Sequence, residues 1–174
     1  MVKKKVDELV FYDTYDSPLC SLIFFGDNYG LKKIVIFNKE HTQNKNLSLL
    51  TKNEQMFAII KQQMKEYFKG DRQKFDININ IIGTIFEQKV LKELLKIPYG
   101  NLVSYSYIAE KIGNKKACRA VGMANNKNPF PIIIPCHRVI GKNGSLTGFG
   151  SGIDIKEKLI RHELANINKT DAKY

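Results

Sequence analysis

Apolar and polar residues alternate from Glu8 to Phe37, and this is the first regular pattern in the chain. A period of two residues is typical of strands that bury one face of a sheet. The segment Gly26–Gly30 interrupts the alternation with residues that tolerate the backbone angles of a hairpin loop. We therefore predict a small antiparallel sheet at the N-terminal end.

A helix is predicted to follow this sheet. Thr51 and Glu54 have the spacing of a capping box, and Gly70 can end the helix. Between these signals, apolar residues recur at helical spacing at Met56, Ile59, Ile60 and Met64. A further strand is predicted from the alternation of Phe75, Ile77, Ile79 and Ile81. Residues 1–82 thus form an α+β domain, and because reactive residues do not cluster there, we interpret it as a scaffold.

The pattern becomes helical after Gly83, and we place a second, mainly helical domain at residues 83–174. Thr84 and Glu87 form another capping box. The apolar face of the helix that they open comprises Phe86, Val90, Leu91, Leu94 and Leu95. The segment Ile97–Gly100 contains a proline and a glycine, so it should end this helix.

A helix-turn-helix is predicted next. Ser104 can cap a first helix that runs to Ile112, and Gly113–Asn114 turns the chain into a second helix from about Lys115. On the second helix, small and apolar residues at three-to-four spacing should face inward at Ala117, Ala120, Val121 and Ala124. Basic side chains should project outward at Lys115, Lys116 and Arg119. The alternative is an ordinary helical hairpin with a solvated basic face.

A net charge of +11 and a pI near 9.5 favour a polyanionic partner, and nucleic acid ranks above a membrane surface. The alternative is that the lysine content only reflects the overall composition of the source proteome. With 174 residues, of which 43% are hydrophobic, the chain can bury a core without a metal or a disulfide. Neither a signal peptide nor an apolar run near the roughly 20 residues that cross a bilayer is visible, so we expect a cytoplasmic protein.

Three widely spaced cysteines argue against a disulfide framework and against a zinc site. Cys136 follows a proline and precedes a histidine and an arginine, an environment that favours a reactive thiolate. Cys136 is therefore the candidate nucleophile. Cys20 lies in a strand pattern and Cys118 lies on the helix-turn-helix, where a buried, unreactive thiol is expected.

His137 can take the proton of Cys136, but adjacency alone is weak support and a third group should orient the imidazole. Glu163 is a candidate for that group. A final helix opens with a capping pattern at Asp154 and Glu157, and Glu163 continues the apolar spacing set by Ile155 and Leu159. The alternative is that Glu163 sits at the helix edge and pairs with a surface lysine or a neighbouring histidine.

An ordered set of motifs between Ile97 and Glu163 resembles the methylated-DNA–protein-cysteine methyltransferases. The most specific motif is Pro135–Val139, which reads Pro-Cys-His-Arg-Val. The other motifs are Ile97–Gly100, Val103–Tyr105, Arg119–Gly122, Asn128–Pro129 and the run from Lys156 to Glu163. Ser17–Leu19 and the hairpin that follows are similar to the start of that family's first domain. The resemblance implies a ribonuclease H-like scaffold at residues 1–82 and a DNA-binding, active-site domain at residues 83–174.

The resemblance also implies a reaction. An alkyl group would pass from O6 of guanine, and from O4 of thymine, in duplex DNA to Cys136, once per molecule and without a cofactor. His137 would act as the base through a bridging water, Glu163 would orient His137, and Asn128 would brace the turn before the cysteine. A monomer would bind the minor groove of double-stranded DNA, and the damaged nucleotide would rotate out of the stack.

Further roles are implied for residues that touch DNA. Arg119 would fill the base stack, and Tyr105 would crowd the 3′ phosphate and donate a hydrogen bond to guanine N3. Other residues against the DNA would be Lys115, Lys116, Ala120 and Lys127. The base pocket would be formed by Met123, Val139, Phe149, Gly150 and Ser151.

Two positions depart from the family pattern. Phe149 stands where several relatives have tyrosine, and Ser151 stands where glycine is common, so the size of adduct that fits stays open. Cys20 and His41 do not match the zinc-binding residues of some relatives, so we expect no metal. A non-catalytic protein that only binds alkylated DNA is the main alternative, but such relatives lack the cysteine that this chain has at Cys136. A cysteine hydrolase or a plain DNA-binding regulator fits the combined motifs less well.

Overall fold

The structure is a computed structural model that describes residues 10–37 and 47–171, with side chains described as far as residue 167. A four-stranded sheet forms the N-terminal part. Its strands are β1 (Phe11–Asp16), β2 (Ser21–Asp27), β3 (Gly30–Phe37) and β4 (Thr51–Lys52), in the order β3-β2-β1-β4. The predicted antiparallel sheet and hairpin are confirmed by β1, β2 and β3, whereas β4 pairs parallel to β1. The predicted start of the alternation at Glu8 and the position of His41 lie outside the described residues.

The first helix, α1, spans Ala58–Lys69 and ends at Gly70 as predicted, because Gly70 adopts the left-handed backbone conformation with φ of 83°. The predicted capping box was wrong. Thr51 belongs to β4, and the Asn53 side chain instead accepts a hydrogen bond from the Met56 amide. Ile59 is 69% exposed, so the buried face of α1 excludes one of its predicted members.

The strand predicted from Phe75 to Ile81 does not form among the described residues. The segment is extended, and its apolar side chains are partly buried against the core. Its backbone bonds to a side chain rather than to a neighbouring strand. The side chain of Gln63 donates to the backbone carbonyl of Asp76 and accepts from its backbone N–H. Alternating burial therefore arises here without a sheet.

The second part of the chain is mainly helical. Its elements are α2 (Ile85–Leu94), β5 (Val103–Ser104), α3 (Tyr105–Lys111), α4 (Cys118–Asn126), a 3-10 turn (Cys136–Arg138), β6 (Val139–Ile140) and α5 (Ile153–Asp171). The capping box of Thr84 and Glu87 is confirmed, and the Ser104 side chain caps α3. Leu95 on the predicted apolar face of α2 is 43% exposed.

The helix-turn-helix is formed by α3 and α4, but two details of the prediction were wrong. α4 begins at Cys118 rather than near Lys115, because the residues after Gly113 form a turn. Ala120 is exposed, whereas Val121 and Ala124 are buried. The face of α4 that carries Ala120 is therefore open to a partner.

α5 begins one residue before the predicted cap, so Asp154 lies in its first turn. A negative charge there interacts favourably with the helix dipole. Ile155 and Leu159 are buried and belong to a core that also contains Phe24 and Tyr67 from the N-terminal part. The sheet and the helices thus share one core. Within residues 10–37 and 47–171, no helix is both long and apolar enough to cross a bilayer.

Candidate active site

Cys136 lies on the 3-10 turn that follows a buried, proline-rich loop, and only 3% of the residue is exposed. Asn128 forms hydrogen bonds to this turn and to the loop that precedes it. Its amide nitrogen is 3.0 Å from Cys136 Sγ and 2.8 Å from the carbonyl oxygen of Ile134, and its oxygen accepts from the Phe130 amide. Ile132 within the loop has φ of 75°, an uncommon conformation for a β-branched residue. The surrounding core holds this strained backbone in place.

Burial raises the pKa of the Cys136 thiol to about 11, although the hydrogen bond from Asn128 and the charge of Lys156 oppose this rise. The resting thiol is therefore protonated near neutral pH and needs a base to react. Cys20 is buried beside Ser17 in the turn between β1 and β2. Cys118 lies at the first turn of α4, so neither of these cysteines joins the site.

The structure brings His137 and Glu163 together inside the core, where both are at most 1% exposed. His137 Nε2 is 2.7 Å from Glu163 Oε1. A carboxylate only accepts hydrogen bonds, so a neutral His137 donates from Nε2 and leaves the lone pair on Nδ1. Burial lowers the pKa of His137, which favours the neutral imidazole. Nδ1 has no hydrogen-bond partner among the described residues, so it is available to accept a proton.

Glu163 is not at a helix edge, and the alternative based on a surface ion pair is wrong. Arg138 donates to Oε2 from Nε at 2.8 Å and to Oε1 from Nη2 at 2.9 Å. Tyr67 and the Gly100 amide also donate to this carboxylate. Burial alone would raise the pKa of Glu163, but His137 and the permanently charged Arg138 together hold it well below its usual range. Glu163 is therefore ionised.

Arg138 does not face the thiol, although its place in the sequence suggested that it would help to stabilise a thiolate. Its guanidinium points to Glu163 and to the carbonyl oxygen of Ile97, at 2.6 Å. The cation near the sulfur is Lys156, which sequence reasoning noted only as the start of a motif. Lys156 is fully buried, and its Nζ donates to the carbonyl oxygens of Val139 and Thr147, both at 2.6 Å. Burial lowers the pKa of Lys156 to about 8.

A cleft of about 370 Å³ opens onto Cys136. One wall is formed by the edge strand β3, and the other includes Phe149, Gly150 and Ser151. Two predicted members of the pocket do not line it. Met123 is 64% exposed, because it lies on the outer face of α4. Asn125, on the buried face of the same helix, lines the cleft instead. The Val139 side chain is buried elsewhere, and its carbonyl is bonded to Lys156.

The helix-turn-helix presents a basic, exposed face next to this cleft. Its exposed residues include Lys115, Lys116, Arg119 and Ala120. Tyr105 begins α3, and its hydroxyl donates to the carbonyl oxygen of Thr147 at 2.9 Å. Two expected DNA-contacting lysines have acidic neighbours, since Lys115 lies 3.0 Å from Glu110 and Lys127 lies 2.8 Å from Glu87. These pairs are exposed and are therefore weak.

A helix-turn-helix beside a buried cysteine, histidine and glutamate defines a class of DNA-binding enzyme that is built around a cysteine. Residues 85–165 match the family described as "6-O-methylguanine DNA methyltransferase, DNA binding domain". Residues 10–81 match the ribonuclease-like domain of the same family. The chain belongs to the 6-O-methylguanine DNA methyltransferase family, which confirms the resemblance seen in the sequence. It is an enzyme of the methylated-DNA–protein-cysteine methyltransferase class.

Individual relatives agree with this assignment. A methylated-DNA–protein-cysteine methyltransferase of Methanosarcina acetivorans is 44% identical over 154 residues, which cover 88% of this chain and 98% of the relative. The crystal structure of the O6-methylguanine methyltransferase of Mycobacterium tuberculosis is 41% identical, with a TM-score of 0.81 over 91% of this chain and 94% of that chain. The Mycobacterium tuberculosis OGT in complex with DNA is also 41% identical, with a TM-score of 0.80 over 90% and 94%.

Proposed function

We propose that this chain repairs alkylated DNA by moving the alkyl group from O6 of guanine, or from O4 of thymine, irreversibly to Cys136 Sγ. The observation that carries this proposal is the buried Cys136, which precedes His137 in the chain, together with the hydrogen bond from His137 to Glu163 and the exposed helix-turn-helix. Family membership supports DNA alkyl repair as the activity.

The chemistry follows from the protonation states in the site. His137 Nδ1 removes the thiol proton through a bridging water, and Glu163 stabilises the imidazolium that forms. The thiolate of Cys136 then attacks the alkyl carbon, so that the S–C bond forms as the C–O bond breaks. The bonding pair remains on the guanine oxygen, and the base takes up a proton to become guanine. The thioether has no good leaving group, so each molecule acts once.

Access to Cys136 requires the base to leave the duplex, because a residue with 3% exposure cannot reach an atom inside a base stack. We assign Arg119 as the side chain that fills the gap, and Tyr105 as the residue that crowds the backbone and contacts the base. The exposed Ala120 lets α4 approach the DNA closely. Reading through the minor groove suits repair at any sequence, since that groove carries little sequence information.

A monomer would bind one site on the duplex. Its phosphate contacts would come from the lysines at Lys115, Lys116 and Lys127. The exposed ion pairs of Lys115 and Lys127 can open at little cost, because such pairs contribute about 0 to 1 kcal/mol.

Intact-mass analysis after incubation with duplex DNA that contains methylated guanine tests the proposal. We expect the mass of one methyl group to be added, with a plateau at one group per molecule and peptide mapping to Cys136. Cys136→Ala should bind the DNA and gain no mass. Turnover beyond one group, or label on Cys20 or Cys118, would overturn the assignment. Binding without transfer by the unmodified chain would instead favour a non-catalytic protein that recognises alkylated DNA.

A further inference from the structure

Besides the wall of β3, the N-terminal part contributes the hydroxyl group of Tyr67 to the active site. Tyr67 on α1 is fully buried, and its hydroxyl donates to Glu163 Oε1 at 2.8 Å. The same oxygen accepts the hydrogen bond from His137 Nε2 at 2.7 Å. The Tyr67 hydroxyl therefore shares an acceptor oxygen with the hydrogen bond that orients the proposed base.

The end of α1 is held firmly against α5. His162 Nε2 lies 2.8 Å from the carbonyl oxygen of Tyr67, and the two rings are 5.3 Å apart. Gly70 ends α1 with a positive φ and has no Cβ, which leaves room for Asn166, because a Cβ there would lie 2.4 Å from the Asn166 side-chain oxygen. Packing between the two helices thus fixes the Tyr67 side chain independently of its hydrogen bond.

We propose that Tyr67 is a positioning residue through which the N-terminal domain sets the proton affinity of His137. The proposal rests on the proposed function, in which His137 deprotonates Cys136. It assigns a chemical task to a domain whose reactive residues are otherwise remote from the cysteine.

The physical reason lies in how Glu163 Oε1 shares its negative charge. This oxygen accepts from three donors, which are Tyr67, His137 and Arg138. Each donor withdraws charge, so the loss of the Tyr67 hydroxyl leaves a more strongly basic oxygen facing His137. An imidazolium is then better stabilised, and the pKa of His137 rises. The other ionisable groups around the pair are Cys136, Lys156, Tyr99 and His162, and none of them is changed by this substitution.

Tyr99 offers a matched control. Its ring centroid lies 6.0 Å from that of Tyr67, edge to face, and it also lies close to Arg138. Its buried hydroxyl has no hydrogen-bond partner among the described residues. Tyr99→Phe therefore removes a neighbouring hydroxyl without removing a hydrogen bond to Glu163.

The test compares the full-length protein with Tyr67→Phe and Tyr99→Phe. The titration of His137 is followed by NMR of labelled imidazoles, and single-turnover methyl transfer from duplex DNA is measured over the same pH range. We expect Tyr67→Phe to raise the pKa of His137 by roughly 0.5 to 1 pH units, the size expected for one hydrogen bond. Transfer on the acid side should then slow by roughly 3- to 10-fold, with little change at alkaline pH. Tyr99→Phe should change neither property.

An unchanged His137 titration in Tyr67→Phe, or an equal shift in both variants, would overturn the proposal. If Tyr67→Phe does not fold, 3-fluorotyrosine placed at position 67 keeps the hydroxyl and makes it a stronger donor. The pKa of His137 should then fall rather than rise, and an unchanged or raised value would contradict the proposal. The NMR titration does not depend on methyl transfer, so a shifted titration in a chain without transfer would refute the proposed function and leave the positioning contact standing.

Discussion

Cys20 and Cys136 are both buried, and burial raises the pKa of each thiol to about 11. Their neighbours differ, and this difference is the basis for the role that we propose for Cys136. Cys20 bonds to Ser17 in the turn between β1 and β2, whereas Cys136 is next to His137 in the chain and within the field of Lys156. At the scale of a residue, a reactive cysteine is therefore recognised by the base and the cation around it rather than by its own exposure or resting pKa.

Glu163→Gln should slow methyl transfer by roughly 100-fold, which is within the range of general base catalysis. The amide cannot stabilise an imidazolium, and Arg138 would then lie unpaired next to His137. Single-turnover rates measure the effect, and DNA affinity should change by less than about twofold, since a side chain that is only 1% exposed cannot contact phosphates. Glu157→Gln on the same helix is the control, because Glu157 is partly exposed and pairs with the exposed Arg161. Equal rates for Glu163→Gln and the unmodified chain would remove Glu163 from the mechanism.

At the scale of an element, caps and helix faces decide what each helix can do. The side chain of Thr84 accepts a hydrogen bond from the Glu87 amide, which secures the start of α2. Thr51 has the same sequence signature but lies in β4. On α4, the buried residues Val121 and Ala124 anchor the helix, so that Arg119 and Ala120 remain exposed.

Thr84→Ala should lower the free energy of unfolding by about 1 kcal/mol, the usual contribution of a helix cap. Denaturation by urea at neutral pH measures the change. Thr51→Ala removes the same kind of side chain from an exposed strand position and should cost clearly less. A similar loss for both substitutions would mean that the cap at Thr84 does not stabilise α2.

Arg119→Ala should separate the opening of the duplex from the chemistry. Arg119 is exposed on α4 and does not join the buried site, so the variant should still react with a free alkylguanine base, which needs no rotation out of a stack. Transfer from duplex DNA should slow by at least about tenfold, given the few kcal/mol that base extrusion costs. Lys65→Gln, an exposed basic position on α1, is the control. Equal loss with free base and with duplex would show that Arg119 has a structural role.

At the scale of the whole molecule, one core joins the sheet to the helical part, and the carboxylate of Glu163 lies at their junction. It receives hydrogen bonds from α1 through Tyr67, from the loop at Gly100, and from His137 and Arg138 after the proline-rich loop. Stability and the proposed activity thus depend on the same buried group.

Lowering the pH should reduce the contribution of Glu163 to stability. The pKa of Glu163 is depressed in the folded state, so its stabilising contribution is complete above the unfolded value of about 4.3 and is lost as the pH falls below it. Glu163→Gln should therefore be less stable than the unmodified chain by roughly 3 kcal/mol at neutral pH, and the gap should narrow below about pH 4. Urea unfolding at several pH values measures the gap. Glu87→Gln, which changes a partly exposed carboxylate paired with Lys127, should show a much smaller effect.

The sequence by itself determined the features that depend on contacts within a few residues. These are the hairpin, the caps of α2 and α3, the end of α1 at Gly70, and the motif around Cys136 with its family. Local spacing also placed Glu163 on the apolar face of α5, because a helical period fixes which side chains share a face. The alternating pattern from Phe75 to Ile81 led to a wrong prediction, because alternating burial can arise in a strand or in an extended segment outside a sheet. This segment is half-buried, and its backbone bonds to Gln63 instead of to a strand.

Only the tertiary structure decided which residues contact one another in the site. Arg138 turns to a carboxylate 25 residues away, and Tyr67 reaches the same carboxylate across 96 residues. Lys156, and not Arg138, supplies the charge near the sulfur, and Asn125 replaces Met123 in the pocket wall. No local period specifies such contacts, because they follow from how separate elements pack around one core. A buried charge is stable only when hydrogen-bond donors surround it. The donors to Glu163 come from several distant segments, so only the folded structure identifies them.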